Sequence, residues 1–409
     1  MPATTVRITQ SPDGTITVLP DYPASTTDFT RAVLDVAGAV LTWPILDGAT
    51  LPTAHIHDPV RAQQWLWALY NEQVATAVDD VATAVVVEQS ALGRTAGQLA
   101  FAHWAARWWP VSYLDGIPDL NPAVLALETA ALTHRCQQLF DDQDDQPDNC
   151  AADLIGEHQS TLIPLLHWLH TPSITPVVAQ QLTDVLQLID DAADSSGLDS
   201  PALRTLRAAL SQEPSPTTAP AELFAPQNGY ALAAGDQHAA TGRLIARGNG
   251  TNDWRRYPPG FVDASEDAIS WTVRAQGARR QLDIEVVAHP SAPTGAPLAA
   301  DVHVRDRSAP GTRSSSEARM LLTRRDDSWT GSAELPVPLT SAPEEQLLIG
   351  VEVLLPGFDP GAGPDARADR TAVRALARQR MLHATSTTEP AIQPLLAEVL
   401  AGVSDGGDY

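Results

Sequence analysis

The feature that most constrains the fold is a change of hydrophobic period about half-way along the 409-residue chain. Up to residue 211 apolar residues recur at the three- and four-residue spacing of amphipathic helices. From residue 227 onward they alternate with polar residues, as in 269–273 and 282–286. Since successive side chains of a strand point to opposite faces, this alternation predicts β-structure. The chain is therefore expected to build two different kinds of core.

The first half opens with a predicted β-hairpin, in which 6–9 and 15–18 flank the turn Ser11–Gly14. Ser25-Thr26-Thr27-Asp28 resembles a capping box and predicts a helix that continues to about Thr42. Further helix starts are indicated by a capping residue followed by proline. These starts are Asp58-Pro59, Asn121-Pro122, Thr175-Pro176 and Ser200-Pro201. We therefore predict a mainly α-helical domain over 1–211, with the hairpin at its N-terminus.

Proline enrichment over 212–226 is typical of a linker. The alternating segments of 227–356 predict an antiparallel β-sandwich of immunoglobulin-like size. Helical spacing returns in 364–402, which predicts C-terminal helices, and 403–409 is predicted to be a disordered tail. The fold class expected from the sequence is thus α+β and multidomain.

Every one of the 26 basic residues is an arginine, so the chain is lysine-free. A chain without lysine cannot form a Schiff base or complete a P-loop or a kinase site. Residues 1–200 hold 6 Arg against 25 acidic residues, and 201–409 hold 20 Arg against 25, which gives the net charge of -24. Such an acidic chain repels nucleic acid and anionic membranes, so neither is an expected partner.

Only two cysteines are present, which favours a reducing compartment over a disulfide framework. The N-terminal residues lack the basic and apolar regions of a signal peptide, and the longest apolar stretch is too short to cross a bilayer. These observations predict a cytoplasmic protein.

The segment 101–118 is unusually rich in tryptophan, next to histidine and arginine. Aromatic rings beside a cation can form a pocket for a ligand or a partner, although the same residues also suit core packing. The pocket candidates are His103, Arg107, Trp108, Trp109 and Asp115.

Arginines also recur at three- and four-residue spacing near the C-terminus, which places them along one helix face. This arginine stripe could dock on an acidic partner or on the acidic first half of the chain, or it could be a solvated face. Its members are Arg367, Arg370, Arg374 and Arg378.

Histidine and cysteine cluster within the helical half, and both are zinc ligands. The paired spacing of a recognised zinc motif is missing, so structural roles are favoured and no cofactor is predicted. The candidates for a metal are His134, Cys136, His167 and His170. A metal-assisted hydrolase using these histidines, with His103 or His158, is the alternative function.

Neither a nucleophile elbow nor a dinucleotide-binding glycine motif occurs in the sequence. A carbohydrate-binding sandwich is a further alternative, because tryptophans are available as stacking platforms. Its candidates are Trp254, Trp271 and Trp329.

Two strings, WWPVSYLDGIPDLNPAVLALETAAL at 108–132 and RRYPPGFVDASEDAISWTV at 255–273, resemble segments of uncharacterised proteins from GC-rich Gram-positive bacteria. This resemblance implies an accessory component encoded with AAA ATPase and von Willebrand A-domain systems. It assigns no role to any residue. Together with the missing catalytic motifs, it favours a non-catalytic protein–protein interaction component, an adaptor or accessory subunit.

Overall fold

A computed structural model describes most of the chain. The described residues are 4–21, 28–46, 48, 50–80, 84–140, 147–171, 174–211, 243–276, 279–289, 291–293, 295–306, 316–335, 347–358, 366–384 and 393–405. The predicted linker, 212–226, and the last residues of the predicted tail lie outside these ranges.

The chain is divided into two compact units that interleave along the sequence. The first unit contains 1–109, 120–225 and 375–409, and the second contains 110–119 and 226–374. The first unit combines helices with an antiparallel sheet, and the second consists mainly of antiparallel strands. The α+β class is therefore confirmed. The domain limits expected from the sequence stay predictions.

A six-stranded antiparallel sheet forms part of the first unit. Its strands in chain order are β1 (Thr4–Gln10), β2 (Ile16–Pro20), β3 (Arg31–Val36), β4 (Ala39–Pro44), β5 (Thr53–Ile56) and β6 (Ala84–Val87). Their order across the sheet is β3-β4-β5-β2-β1-β6. The predicted hairpin is confirmed as β1 and β2, closed by a hydrogen bond from Gly14 N to Ser11 O.

The helix predicted from Ser25 to Thr42 is wrong, because β3 and β4 occupy most of it. Gly38 lies between the two strands with a φ of +73°. A Cβ atom there would lie 2.3 Å from the backbone oxygen of Asp58, so only glycine fits this turn. The helix was predicted from the capping-box pattern at 25–28, whereas β3 and β4 display the alternating burial that is typical of strands.

Eight helices complete the described 1–211 part of the first unit. They are α1 (Pro59–Leu69), α2 (Glu72–Asp80), α3 (Ala91–Trp108), α4 (Pro122–Arg135), α5 (Pro147–His158), α6 (Leu162–Leu169), α7 (Pro176–Ser195) and α8 (Pro201–Leu210). The four predicted helix starts are confirmed, because each capping side chain accepts a backbone N–H of its helix. The mainly helical character expected for 1–211 needs correction, since this part also contains six strands, five of them before α1.

The second unit contains two antiparallel sheets. Its strands are β7 (Arg243–Asn249), β8 (Ile269–Gln276), β9 (Arg279–Val287), β10 (Ala299–Asp306), β11 (Ser316–Leu321), β12 (Thr323–Arg325), β13 (Ser328–Glu334) and β14 (Leu347–Leu354). The five-stranded order is β12-β13-β9-β8-β7 and the three-stranded order is β11-β10-β14. The predicted alternation is confirmed in β8 and β9, whereas their assembly as a sandwich stays a prediction.

Two helices follow the strands, as predicted: α9 (Arg367–Ala384) and α10 (Leu396–Asp405). The last residues of α9 and all of α10 belong to the first unit. No helix within the described ranges is long and apolar enough to cross a membrane.

A candidate ligand groove in the first unit

A groove of about 390 Å³ lies within the first unit. The end of β4, one side of α3, the second half of α9 and the residues before α10 form its walls. This volume falls within the range of ligand-binding pockets, which are lined mainly by apolar side chains with a few placed polar groups.

Apolar residues form much of the lining. Trp43 belongs to the buried face of β4, and its indole lies next to Gly97 of α3. A Cβ atom at Gly97 would come within 3.4 Å of the Trp43 Nε1 atom, so the small residue lets strand and helix approach closely. The apolar lining residues include Trp43, Pro44, Ile45, Phe101, Leu376 and Pro394.

Polar side chains enter the same groove from several elements. The Gln89 side-chain amide donates to the Thr50 backbone oxygen at 2.9 Å, so it is already engaged. Other polar lining residues make no side-chain hydrogen bond or ion pair with any described residue: Arg94, Gln98, Gln379, His383 and Gln393. Among the described residues of the lining, none is Asp or Glu. The groove therefore offers an unpaired guanidinium and unpaired amides.

Arg380 differs from Arg94, because its charge is neutralised. Its guanidinium donates to both carboxylate oxygens of Glu398, with Nε–Oε1 2.5 Å and Nη2–Oε2 2.6 Å. It also stacks on the Phe101 ring at 4.1 Å from the centroid. Arg380 thus fixes one wall of the groove rather than offering a charge to a ligand.

Buried carboxylates hold the start of α10. The backbone N–H of Leu395 donates to Glu398 at 2.7 Å, and that of Leu396 donates to Glu128 of α4 at 2.8 Å. Both carboxylates are buried. Burial, the largest cause, and the neighbouring charge of Glu398 raise the pKa of Glu128 to about 8, against the lowering effect of the backbone donors and of Arg380.

The raised pKa of Glu128 predicts a pH-dependent stability. Between its ordinary pKa of 4.5 and about 8, the folded state retains a proton that the unfolded state releases. The free energy of unfolding should therefore fall as pH rises through this interval, on the order of 3–5 kcal/mol in total from this group. Glu128→Gln should abolish most of that fall, as measured by urea unfolding across the interval.

Glu157 provides the matched control, because it is exposed on α5 of the same unit. Glu157→Gln should leave the pH dependence of the wild type in place. A Glu128→Gln variant that keeps the full fall in stability would contradict the assignment of the proton to Glu128.

The candidates for the predicted aromatic pocket at 101–118 are divided between the two units, and the pocket stays a prediction. His103 and Arg107 are exposed on α3, and the Arg107 guanidinium lies 4.8 Å from the Trp108 ring centroid. Trp108 also lies 6.3 Å from the ring centroid of Phe29, and Trp109 is buried. Asp115 belongs to the second unit, where it forms an ion pair with Arg374.

The hypothesis that the arginine stripe docks on a partner needs correction. Arg370 is 1% exposed and donates to Glu266 at 2.7 Å. Arg374 is also buried, and its guanidinium forms ion pairs with Glu266 at 3.4 Å and with Asp115 at 3.3 Å. Arg367 and Arg378 are exposed, and Arg367 lies 3.6 Å from Glu266. The centre of the stripe is therefore used inside the second unit and is not an open docking face.

The metal candidates do not converge. Within the described part of the chain, no group of three or more His, Cys, Asp or Glu side chains is placed to hold a metal ion. His134 contacts the Gln137 amide at 3.0 Å, and Cys136 is buried as a free thiol. His167 and His170 lie at the end of α6.

The tryptophans considered as carbohydrate platforms are buried. Each indole N–H donates to a backbone oxygen: Trp254 to Ala264, Trp271 to Asn249 and Trp329 to Phe261. A buried ring cannot stack on a sugar, so these residues form core rather than a sugar-binding face.

A serine–histidine contact lies in the second unit. Ser291 Oγ lies 2.7 Å from His289 Nδ1, and the Ser291 backbone N–H donates to the same atom at 3.1 Å. Burial lowers the pKa of His289 to about 4, with a smaller effect of Arg324. A base this weak activates a hydroxyl poorly, and the double contact is that of a local turn.

Sequence reasoning missed the groove residues. Arg94 and Gln98 are four apart on α3, and Gln379 and His383 are four apart on α9. Polar pairs at this spacing share one helix face, and on α3 the pair interrupts a run of small and apolar residues. That interruption is the signal that could have indicated the groove. In comparisons with protein-family models, curated proteins and solved structures, no match to this chain was found.

Proposed function

We infer that this chain is a non-catalytic interaction component, an adaptor or accessory subunit, that recognises a protein partner through the groove of its first unit. The observation that carries this inference is the set of unpaired polar side chains around an apolar floor. The resemblance of 108–132 and 255–273 to uncharacterised proteins implies an accessory component and so favours the same role, and the cysteine content favours the cytoplasm.

The chemistry of the lining supports binding rather than catalysis. Side-chain amides both donate and accept hydrogen bonds, but they are neither nucleophiles nor bases. The carboxylate of Glu398 next to the groove is engaged by Arg380, and the carboxyl of Glu128 accepts the N–H of Leu396. A groove with this lining can hold and orient a ligand. Among its described residues the imidazole of His383 is the group able to transfer a proton, and it has no hydrogen-bonded side chain there to orient it as a base.

Filling the groove should abolish partner binding. Gln98→Trp places a large ring between α3 and the opposite wall, while Gln73→Trp places the same ring on an exposed position of α2. We expect a protein that co-purifies with wild type and Gln73→Trp from the native cell to be lost with Gln98→Trp. The comparison is made by quantitative mass spectrometry at low salt.

Both variants should melt within a few degrees of the wild type, so that loss of the partner reports on the groove and not on unfolding. Retention of the same partner by Gln98→Trp, or the absence of any partner from the wild type, would refute the proposed function.

A further inference from the structure

The unpaired groups of the groove define what its ligand must carry. Arg94 is exposed at the rim, and its guanidinium makes no ion pair with any described residue. A guanidinium presents its donors in a planar fork that matches a carboxylate in a bidentate pair. The ligand is therefore expected to bring one carboxylate to Arg94.

Amides from three elements of the groove indicate the rest of the ligand. Gln98 comes from α3, Gln379 from α9 and Gln393 from the segment before α10. Each amide pairs a donor with an acceptor, as does each peptide group of an extended chain. Amides that enter a groove from different elements thus suit the alternating N–H and C=O groups of a peptide, and the half-buried Pro44, Leu376 and Pro394 suit its apolar side chains.

The net charge of the protein limits how acidic this peptide can be. At -24 the chain repels an acidic run, whereas a single carboxylate in contact with Arg94 gains its attraction at short range. At physiological salt the remote charges are largely screened beyond about 8 Å, so the local pair dominates. One carboxylate flanked by apolar residues therefore fits better than an acidic tract.

We propose that the groove binds an extended peptide segment of a partner protein, with a single Asp or Glu paired to Arg94 and apolar side chains against the half-buried Pro44, Leu376 and Pro394. This proposal rests on the proposed function and names the recognised segment. His383 lies on the same lining and adds a second nitrogen-bearing contact for the segment.

The test uses fluorescence anisotropy with defined peptide mixtures. One mixture carries a central Asp flanked by randomised Leu, Val and Phe, and the second replaces Asp by Asn. We expect the Asp mixture to bind about tenfold more tightly or better, because charge-assisted hydrogen bonds to an exposed guanidinium exceed neutral ones. Arg94→Gln should remove this preference, and Arg94→Lys should retain part of it.

Arg135 is the matched control, since it is exposed on α4 of the same unit. Arg135→Gln should keep the full preference for Asp. A third mixture with several consecutive Asp residues should bind more weakly than the single-Asp mixture, and benzoate should bind more weakly than either.

Several results would overturn the proposal: equal affinity for Asp and Asn mixtures, a preference that survives Arg94→Gln, no binding of either mixture, or tighter binding of benzoate than of peptide. If both mixtures bind equally and Gln98→Trp abolishes the binding of both, the proposed pairing of a carboxylate with Arg94 is wrong, while the groove remains the binding site. If a partner co-purifies equally with Gln98→Trp, the proposed function itself fails.

Discussion

Arg380→Met should lower the free energy of unfolding by about 3–5 kcal/mol, which is the usual cost of removing one partner of a buried ion pair. Glu398 is 0% exposed and would lose its bidentate cation. The raised pKa of Glu128 shows that this part of the core already disfavours negative charge. Urea unfolding at neutral pH measures the loss.

Arg378→Met is the control on the same helix, because Arg378 is exposed, and it should cost less than about 1 kcal/mol. Glu398→Gln combined with Arg380→Met should recover part of the loss, because the double variant no longer buries an unpaired charge. Equal stabilities for the Arg380 and Arg378 variants would contradict the structural role of the ion pair.

Arg370→Met should produce a loss of similar size, about 3–5 kcal/mol, in the second unit. Arg370 is almost fully buried and shares Glu266 with Arg374. Without Arg370, Glu266 keeps the longer contacts to Arg374 at 3.4 Å and to the exposed Arg367 at 3.6 Å. The loss is measured by urea unfolding followed by tryptophan fluorescence, since Trp254 lies next to Arg374.

Arg279 serves as the control in this unit, because its ion pair with Glu334 is exposed on both sides. Arg279→Met should change the free energy of unfolding by less than about 1 kcal/mol. A loss that small for Arg370→Met would instead support an arginine stripe that is free to dock on a partner.

Local signals in the sequence predicted the elements that depend on local interactions. Capping residues such as Asp58 and Asn121 mark their helix starts, because the cap bonds only to residues two or three positions away. The alternation in β8 and β9 likewise follows from burial of one strand face. At β3 and β4 two local signals conflicted: the capping-box pattern at 25–28 favoured a helix, and the alternation of apolar residues favoured strands. The chain forms two strands joined by a tight turn at Gly38, where close approach to Asp58 requires glycine.

The candidate site is formed by contacts between residues far apart in the sequence, which local sequence patterns do not indicate. The arginine stripe was recognised from its spacing, but its main partner, Glu266, lies 104 residues before Arg370 in the sequence. The groove combines β4, α3, α9 and the segment before α10, and no sequence pattern links these elements. Of the groove residues, Arg94 and Gln98 could have been singled out in advance, because they interrupt the small and apolar residues of α3.

Recognition of a partner through the groove is tested most directly by photo-crosslinking within the purified complex. A photoreactive residue is placed at position 98 in the groove, and in a parallel variant at the exposed position 73. We predict that position 98 crosslinks to one short segment of the co-purified partner, containing a single carboxylate among apolar residues, and that position 73 does not. Equal crosslinking from both positions, or none from position 98, would contradict recognition through the groove.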